Sequence, residues 1–374
     1  MRYRNLGYTG LRVSEVGFSV WGMGNTSWLG ADKRSAVQAL IAAYDAGINF
    51  FDSAWVHGRG ESERLLAQVF GKSTNVVIAS KVPPRNCIWP AASSVPLREV
   101  FPRAHVLEYL RKTVHNLRRD AVDLYQFHVW NDQWIEDPEW PELIEQLRRS
   151  GRARFIGIST NDHQPENALV ALATGMIDTV QVIYNIFDQT PEDRLFPYCM
   201  AHGIGVIARV PFDEGGLTGD VRPDTVFPAQ DFRSGYFEGA RKVDVWERVQ
   251  GIATDVGISV AQLPKLALRF CLSHPAVSTV IPGMGEAVYA RSSAAAAEED
   301  ALPLDTIQKL RSHRWERNYY PLSGDRDPSS PPGSTSGADV PSRSHLCKGK
   351  LILQSGVQHL VFRGTKQEPP AEEH

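Results

Sequence analysis

Eight short apolar runs that alternate with helix-length amphipathic stretches constrain this chain more than any other feature. The runs fall at residues 16–20, 49–51, 76–79, 122–127, 155–158, 180–183, 205–210 and 277–281. The helical patterns fall near 33–45, 61–70, 104–117, 141–150, 166–173, 192–201, 243–256 and 261–272. A strand that pairs in parallel with the next needs a return of about a dozen residues, which a helix supplies. Eight such units are the number that closes a (β/α)8 barrel. An open doubly wound sheet is the competing arrangement. Its first turn would usually hold a Gly-rich dinucleotide loop, whereas Trp21-Gly22-Met23-Gly24-Asn25 lacks the full pattern. The expected fold is α/β, a TIM barrel preceded by a β-hairpin at 3–6 and 12–13, whose turn contains Gly7, Thr9 and Gly10.

Composition limits the classes of function. The net charge of -3 gives no bulk attraction to nucleic acid or to an anionic membrane. No apolar stretch is long enough to span a bilayer, and Met1-Arg2-Tyr3-Arg4 does not read as a signal peptide. The cytoplasm is therefore the expected compartment. Cys87, Cys199, Cys271 and Cys347 show no metal or redox spacing, so unpaired thiols and no metal are expected. The sequence holds no signal for subunit number. Residues 213–239 form a long loop rich in Gly, Asp, Pro and Phe, of a kind often used as a lid. Tyr236 and Phe237 are its candidates to close over a substrate. The barrel is expected over residues 1–315. Residues 316–374, rich in Ser, Pro and Gly, are expected to be a disordered tail.

The chemistry-bearing residues gather where strands stop. Asn49-Phe50-Phe51-Asp52 ends in a carboxylate, and Trp55, His57, Gly58 and Gly60 follow in a short loop. Lys81 ends the third run and His128 the fourth. An acid, a base and imidazoles at the ends of parallel strands are the usual layout of a barrel enzyme. Trp21, Trp55 and Trp130 lie just past strand ends; they are assigned to a substrate wall, with core packing as the alternative.

Six motifs in order resemble the aldo-keto reductase superfamily. They are Phe51-Asp52-Ser53-Ala54, Gly58-Arg59-Gly60-Glu61-Ser62-Glu63, Lys81, Asp123-Leu124-Tyr125-Gln126-Phe127-His128, Gly157-Ile158-Ser159-Thr160 and Val280-Ile281-Pro282-Gly283. The resemblance implies hydride exchange between a nicotinamide cofactor and a carbonyl or alcohol of a small molecule. The family's catalytic Asp, Lys and His map to Asp52, Lys81 and His128. Its tyrosine, which gives the proton to the developing alkoxide, maps to His57. Beside a lysine cation the neutral imidazole is favoured, with Asp52 opposing that effect. His57 then acts as acid, as base for alcohol oxidation, or as a substrate binder with His128 in the polar role.

The resemblance also implies the cofactor contacts. Ser159, Thr160 and Gln181 match residues at the nicotinamide amide, with Asn161 as a substitute for Thr160. Arg209 stands where a ring commonly stacks on the nicotinamide. Gly216, Leu217 and Gly219 belong to a loop that covers phosphate. Gly283, Glu286 and Arg291 match the adenosine end. The family's habit makes NADP the expected cofactor, and Glu286 keeps NAD open, because a carboxylate repels a 2′-phosphate or bonds a free ribose hydroxyl.

Overall fold

The computed structural model describes residues 1–23, 33–92 and 94–320. Two strands, β1 (Tyr3–Asn5) and β2 (Arg12–Ser14), pair as an antiparallel hairpin. Eight more follow: β3 (Phe18–Ser19), β4 (Phe50–Asp52), β5 (Val77–Val82), β6 (Val122–Phe127), β7 (Ala153–Ser159), β8 (Thr179–Ile183), β9 (Gly205–Arg209) and β10 (Val277–Ile281). Each is hydrogen-bonded in parallel to the next in chain order. Bridges Val16–Val280 and Ser19–Gly283 join the first of them to the last, so the sheet meets itself. Helices lie on the outside; for example Lys33–Asp45 packs against Ala287–Glu298, which meets it with a face of alanines.

The hairpin stops one end of the barrel. Leu6, Leu11 and Val13 are buried against Phe50, Ala79, Leu124, Ile207 and Ile281. Gly7 has a φ of +55°, and a Cβ there would fall 2.3 Å from the Gly205 nitrogen, so only glycine lets the hairpin approach this closely. Function is left to the opposite end, where the strands finish.

Period-two alternation decides what reaches that end. Register pairs Asp52 with Ala79, Lys81 with Gln126, Gln126 with Gly157 and Ser159 with Gln181. The apolar layer on the hairpin is thus followed by a polar one. Gly157 makes room within it, since a Cβ would lie 2.3 Å from Thr179 Oγ1 and 3.1 Å from Gln126 Cγ. Gly157→Ala is expected to cost about 1–3 kcal/mol of unfolding free energy by overpacking. Urea titration of the two proteins checks this, and an unchanged midpoint contradicts it.

Residues 316–320 fall on the tail side of the boundary drawn from composition, yet they pack on the barrel. Tyr320 is buried, and Arg317 is ion-paired with the buried Asp213. Two rings and a guanidinium in this stretch supply enough apolar and charged contact to hold it. Residues 321–374 lie outside the described residues. Cys199 and Cys271 are free and buried, as expected of unpaired thiols, and Cys347 lies outside the described residues. Among the described residues no helix is long and apolar enough to cross a membrane.

Candidate active site

A cavity of about 480 Å³ opens at the strand ends, and Asp52, His57, Lys81 and His128 all line it. Asp52 and Lys81 are almost fully buried. The Lys81 ammonium donates to Asp52 Oδ2 at 2.5 Å and to the Ser53 carbonyl at 2.9 Å. The other carboxylate oxygen accepts from Gln181 Nε2 at 2.8 Å and Gln126 Nε2 at 3.3 Å. Burial pushes the Lys81 pKa down, Asp52 opposes this, and the nearby Arg209 guanidinium adds to the lowering. The carboxylate therefore holds the lysine charge in a place that water cannot solvate.

His57 enters the cavity through its loop. Its N–H donates to the Ala54 carbonyl and its carbonyl accepts from Ser62. Arg59 and Gly60 then take φ values of 53° and 81°, turning the chain into the helix Glu61–Phe70. The His57 and His128 rings stand edge to face, 5.8 Å apart, and Trp89 meets His128 in the same way.

Below this cluster, the outward side of β5 is anchored by a second carboxylate. Ser80 and Thr113 donate to Glu63 Oε1 at 2.6 and 2.8 Å, and Asn116 donates to Oε2 at 2.7 Å. Glu63 is completely buried, and burial raises its pKa above the ordinary glutamate value despite these three donors. The folded state therefore holds a proton on Glu63 at pH values where the unfolded chain has lost it. Stability from this group is full below the ordinary glutamate pKa and is lost as pH rises through the raised one. Glu63→Gln is expected to flatten that part of the stability–pH curve, as read by urea unfolding between about pH 4 and 8. A variant with the same pH dependence as the native chain contradicts this.

Of the expected cofactor residues, Ser159, Thr160, Gln181, Arg209 and Gly283 line the cavity. Ser159 and Gln181 suit a carboxamide. With Gln181 Nε2 engaged by Asp52, its carbonyl oxygen is left as an acceptor, and Ser159 brings a hydroxyl. Thr160 is turned back on the Gln181 carbonyl at 3.3 Å. Asn161 is taken up by Ala91, Trp130 and Gln164, so it does not replace Thr160 as a free amide. Arg209 is held by Asp162 at 2.9 Å and by the Thr160 carbonyl at 3.2 Å.

The other expectations are displaced. Gly216, Leu217 and Gly219 turn away from the cavity, packing near Val245, in the core and against Val260, while their neighbours Gly215 and Thr218 face it. Glu286 is the exposed N-cap residue of Ala287–Glu298, and Arg291 is exposed on that helix; neither lines the cavity. Trp21 is in the wall. Trp130 is not: it is fully buried among Phe127, Trp134 and Trp140, with ring centroids 4.7–5.8 Å away. Trp55 stacks edge-on against Tyr109 under Lys112 instead. Tyr236 and Phe237 are buried in the folded loop, and Phe227 and Arg233 take the cavity side.

Sequence reasoning missed Gln126, Trp89 and Met284. A glutamine in the apolar run 122–127 was the available signal for the first. Trp89-Pro90 lies past a strand end, the same signal that singled out the other tryptophans. Nothing in the sequence distinguishes Met284.

A profile of the aldo/keto reductase family matches residues 15–314. This chain belongs to the aldo/keto reductase family. It is 27% identical over 324 residues to the aldo-keto reductase YhdN of Bacillus subtilis, covering 82% of this chain and 93% of that one. It is 29% identical over 302 residues to a rice protein described as a probable voltage-gated potassium channel subunit beta, covering 76% and 87%. It is 25% identical over 329 residues to the NADH-specific methylglyoxal reductase of Escherichia coli, covering 83% and 98%. The fold is also that of the aldo-keto reductase AKR11C1 from Bacillus halodurans, with a TM-score of 0.64 at 24% identity over 85% of this chain and 99% of that one. As a member of the aldo/keto reductases, the chain is an oxidoreductase of the nicotinamide-dependent type.

Proposed function

We propose that this aldo/keto reductase interconverts a carbonyl and an alcohol on a small polar molecule, with His57 in the proton-transferring position. The supporting observation is the meeting of Asp52, Lys81, His57 and His128 on the wall of one cavity at the strand ends. A bound nicotinamide would supply or take up the hydride. Ser159, Gln181 and Arg209 would hold its amide end, and Gly283 with Gly215 and Thr218 would line its path.

The chain's own residues manage charge and protons. As negative charge develops on the substrate oxygen, a donor must already point at it. The imidazole of His57 donates an N–H there, and in the oxidative direction it accepts the alcohol proton. Lys81, held by Asp52, adds a fixed positive field. His128 orients the oxygen. The E. coli relative's name supports carbonyl reduction. Trp21 and Trp89, beside two imidazoles, give the wall both flat apolar and hydrogen-bonding surface, which suits a sugar or a ringed secondary metabolite.

Fluorescence titration with NADH and NADPH, followed by turnover on aldehydes, ketones, sugars and alcohols, tests the reading. Binding with turnover of at least one substrate class is the expected result. Tight binding with no turnover favours a second reading, a cofactor-binding partner protein; the rice relative's description as a channel subunit supports the partner role alone. Failure to bind either nucleotide removes the redox function and leaves a lyase or epimerase with His57 as base.

A further inference from the structure

We infer that the site selects NADH over NADPH, through a cavity rim at Tyr289, Ser292 and Ser293 that holds no cation among the described residues, and through the carboxylate of Glu286 next to it in sequence. This rests on the nicotinamide reading above.

The cavity is not confined to the barrel mouth. Its wall runs from Asp52 and Lys81, inside the ring of strands, out to Pro264 on the helix Leu263–Ser273 and to Gly285, Tyr289, Ser292 and Ser293 at the helix Ala287–Glu298. A dinucleotide with its reacting ring at the catalytic end would reach this outer end with its adenosine. The two cofactors differ by one group there: a ribose hydroxyl in one, a phosphate of about two negative charges in the other.

No cation among the described residues stands at that end of the wall. Among the described residues, the outer wall offers the hydroxyls of Tyr289, Ser292 and Ser293 and the apolar surface of Pro264 and Met284. The cations in the cavity wall are Lys81, Arg209 and Arg233. The first two sit at the strand ends and are bound to Asp52 and Asp162, and Arg233 is bound to Asp231. Arg291 is the nearest cation in sequence, but helical geometry turns it aside. At about 100° per residue, positions 289, 292 and 293 share one face, and position 291 lies about 150° from its centre.

Glu286 adds an opposing charge. It is the N-cap of the twelve-residue helix, in extended conformation and exposed, and its side chain caps none of the helix's own N–H groups. The residue at the positive end of the helix, the natural counter-charge for a phosphate, is therefore an acid rather than a base. A phosphate would meet repulsion, while a ribose diol could donate to Glu286 and exchange hydrogen bonds with the serines.

Fluorescence titration of the full chain with each reduced nucleotide reads this directly, without turnover. NADH is expected to bind at least about tenfold more tightly than NADPH. Glu286→Arg is expected to shift the ratio of the two dissociation constants toward NADPH by about tenfold or more, with Glu286→Gln in between. Equal affinities, or tighter NADPH binding, in the native chain overturn the selection and leave the redox function standing. A native preference for NADH that Glu286→Arg leaves unmoved overturns the role of Glu286. Binding of neither nucleotide overturns this inference together with the function it rests on.

Discussion

Replacing His57 with tyrosine is expected to raise reduction of simple aldehydes at neutral pH by one to two orders of magnitude. A positioned general acid contributes about 10²–10⁴-fold to such a step. A phenol beside the lysine cation can give up its proton to the new alkoxide, whereas a neutral imidazole is a poor proton source. The side chain at 57 is buried and lines the cavity, so the new hydroxyl would arrive in the same space. His57→Phe, which can neither give nor take a proton, is expected to lose at least about 10²-fold in kcat/KM for the native substrate. Steady-state rates at saturating cofactor, with nucleotide affinity measured in parallel, check both. If neither variant changes any rate, His57 has no part in the chemistry.

The second large effect concerns Lys81. Lys81→Met removes the cation from a pair in which each side chain is 3% exposed or less. Breaking a buried pair from one side costs about 3–5 kcal/mol, because the remaining charge is stranded. Gln126 and Gln181 still donate to Asp52 and place the expected loss at the lower end of that range. Activity is expected to fall by at least about 10²-fold, since the field at the substrate oxygen goes with the charge. Lys81→Met combined with Asp52→Asn separates the two effects: stability should largely return while activity stays lost. Urea unfolding and kcat/KM on the same preparations test this. A double variant as unstable as the single one would mean that packing, rather than charge, sets the cost.

The barrel was legible because its signals are periodic. Strand–helix alternation and a carboxylate, a lysine and a histidine at three strand ends appear in linear order, and parallel register does the rest. The cavity's walls were harder to read. Trp21 and Trp130 follow strand ends in the same way, yet one faces the cavity and the other sits among aromatic rings, a difference set by loop geometry. Gly216 and Gly215 are adjacent, and backbone angles alone decide which one opens on the site. The segment at 316–320 was assigned to the tail because the Ser- and Pro-rich sequence after it dominates the local composition.

The bond between Arg317 and Asp213 ties the far end of the described chain to the loop whose neighbours Glu214 and Gly215 form part of the cavity wall. Trimming by a protease, or an expression boundary drawn at Trp315, would strip that guanidinium from an interior carboxylate. The damage from so small a deletion would then surface at a distance, as looser grip on whatever the wall encloses.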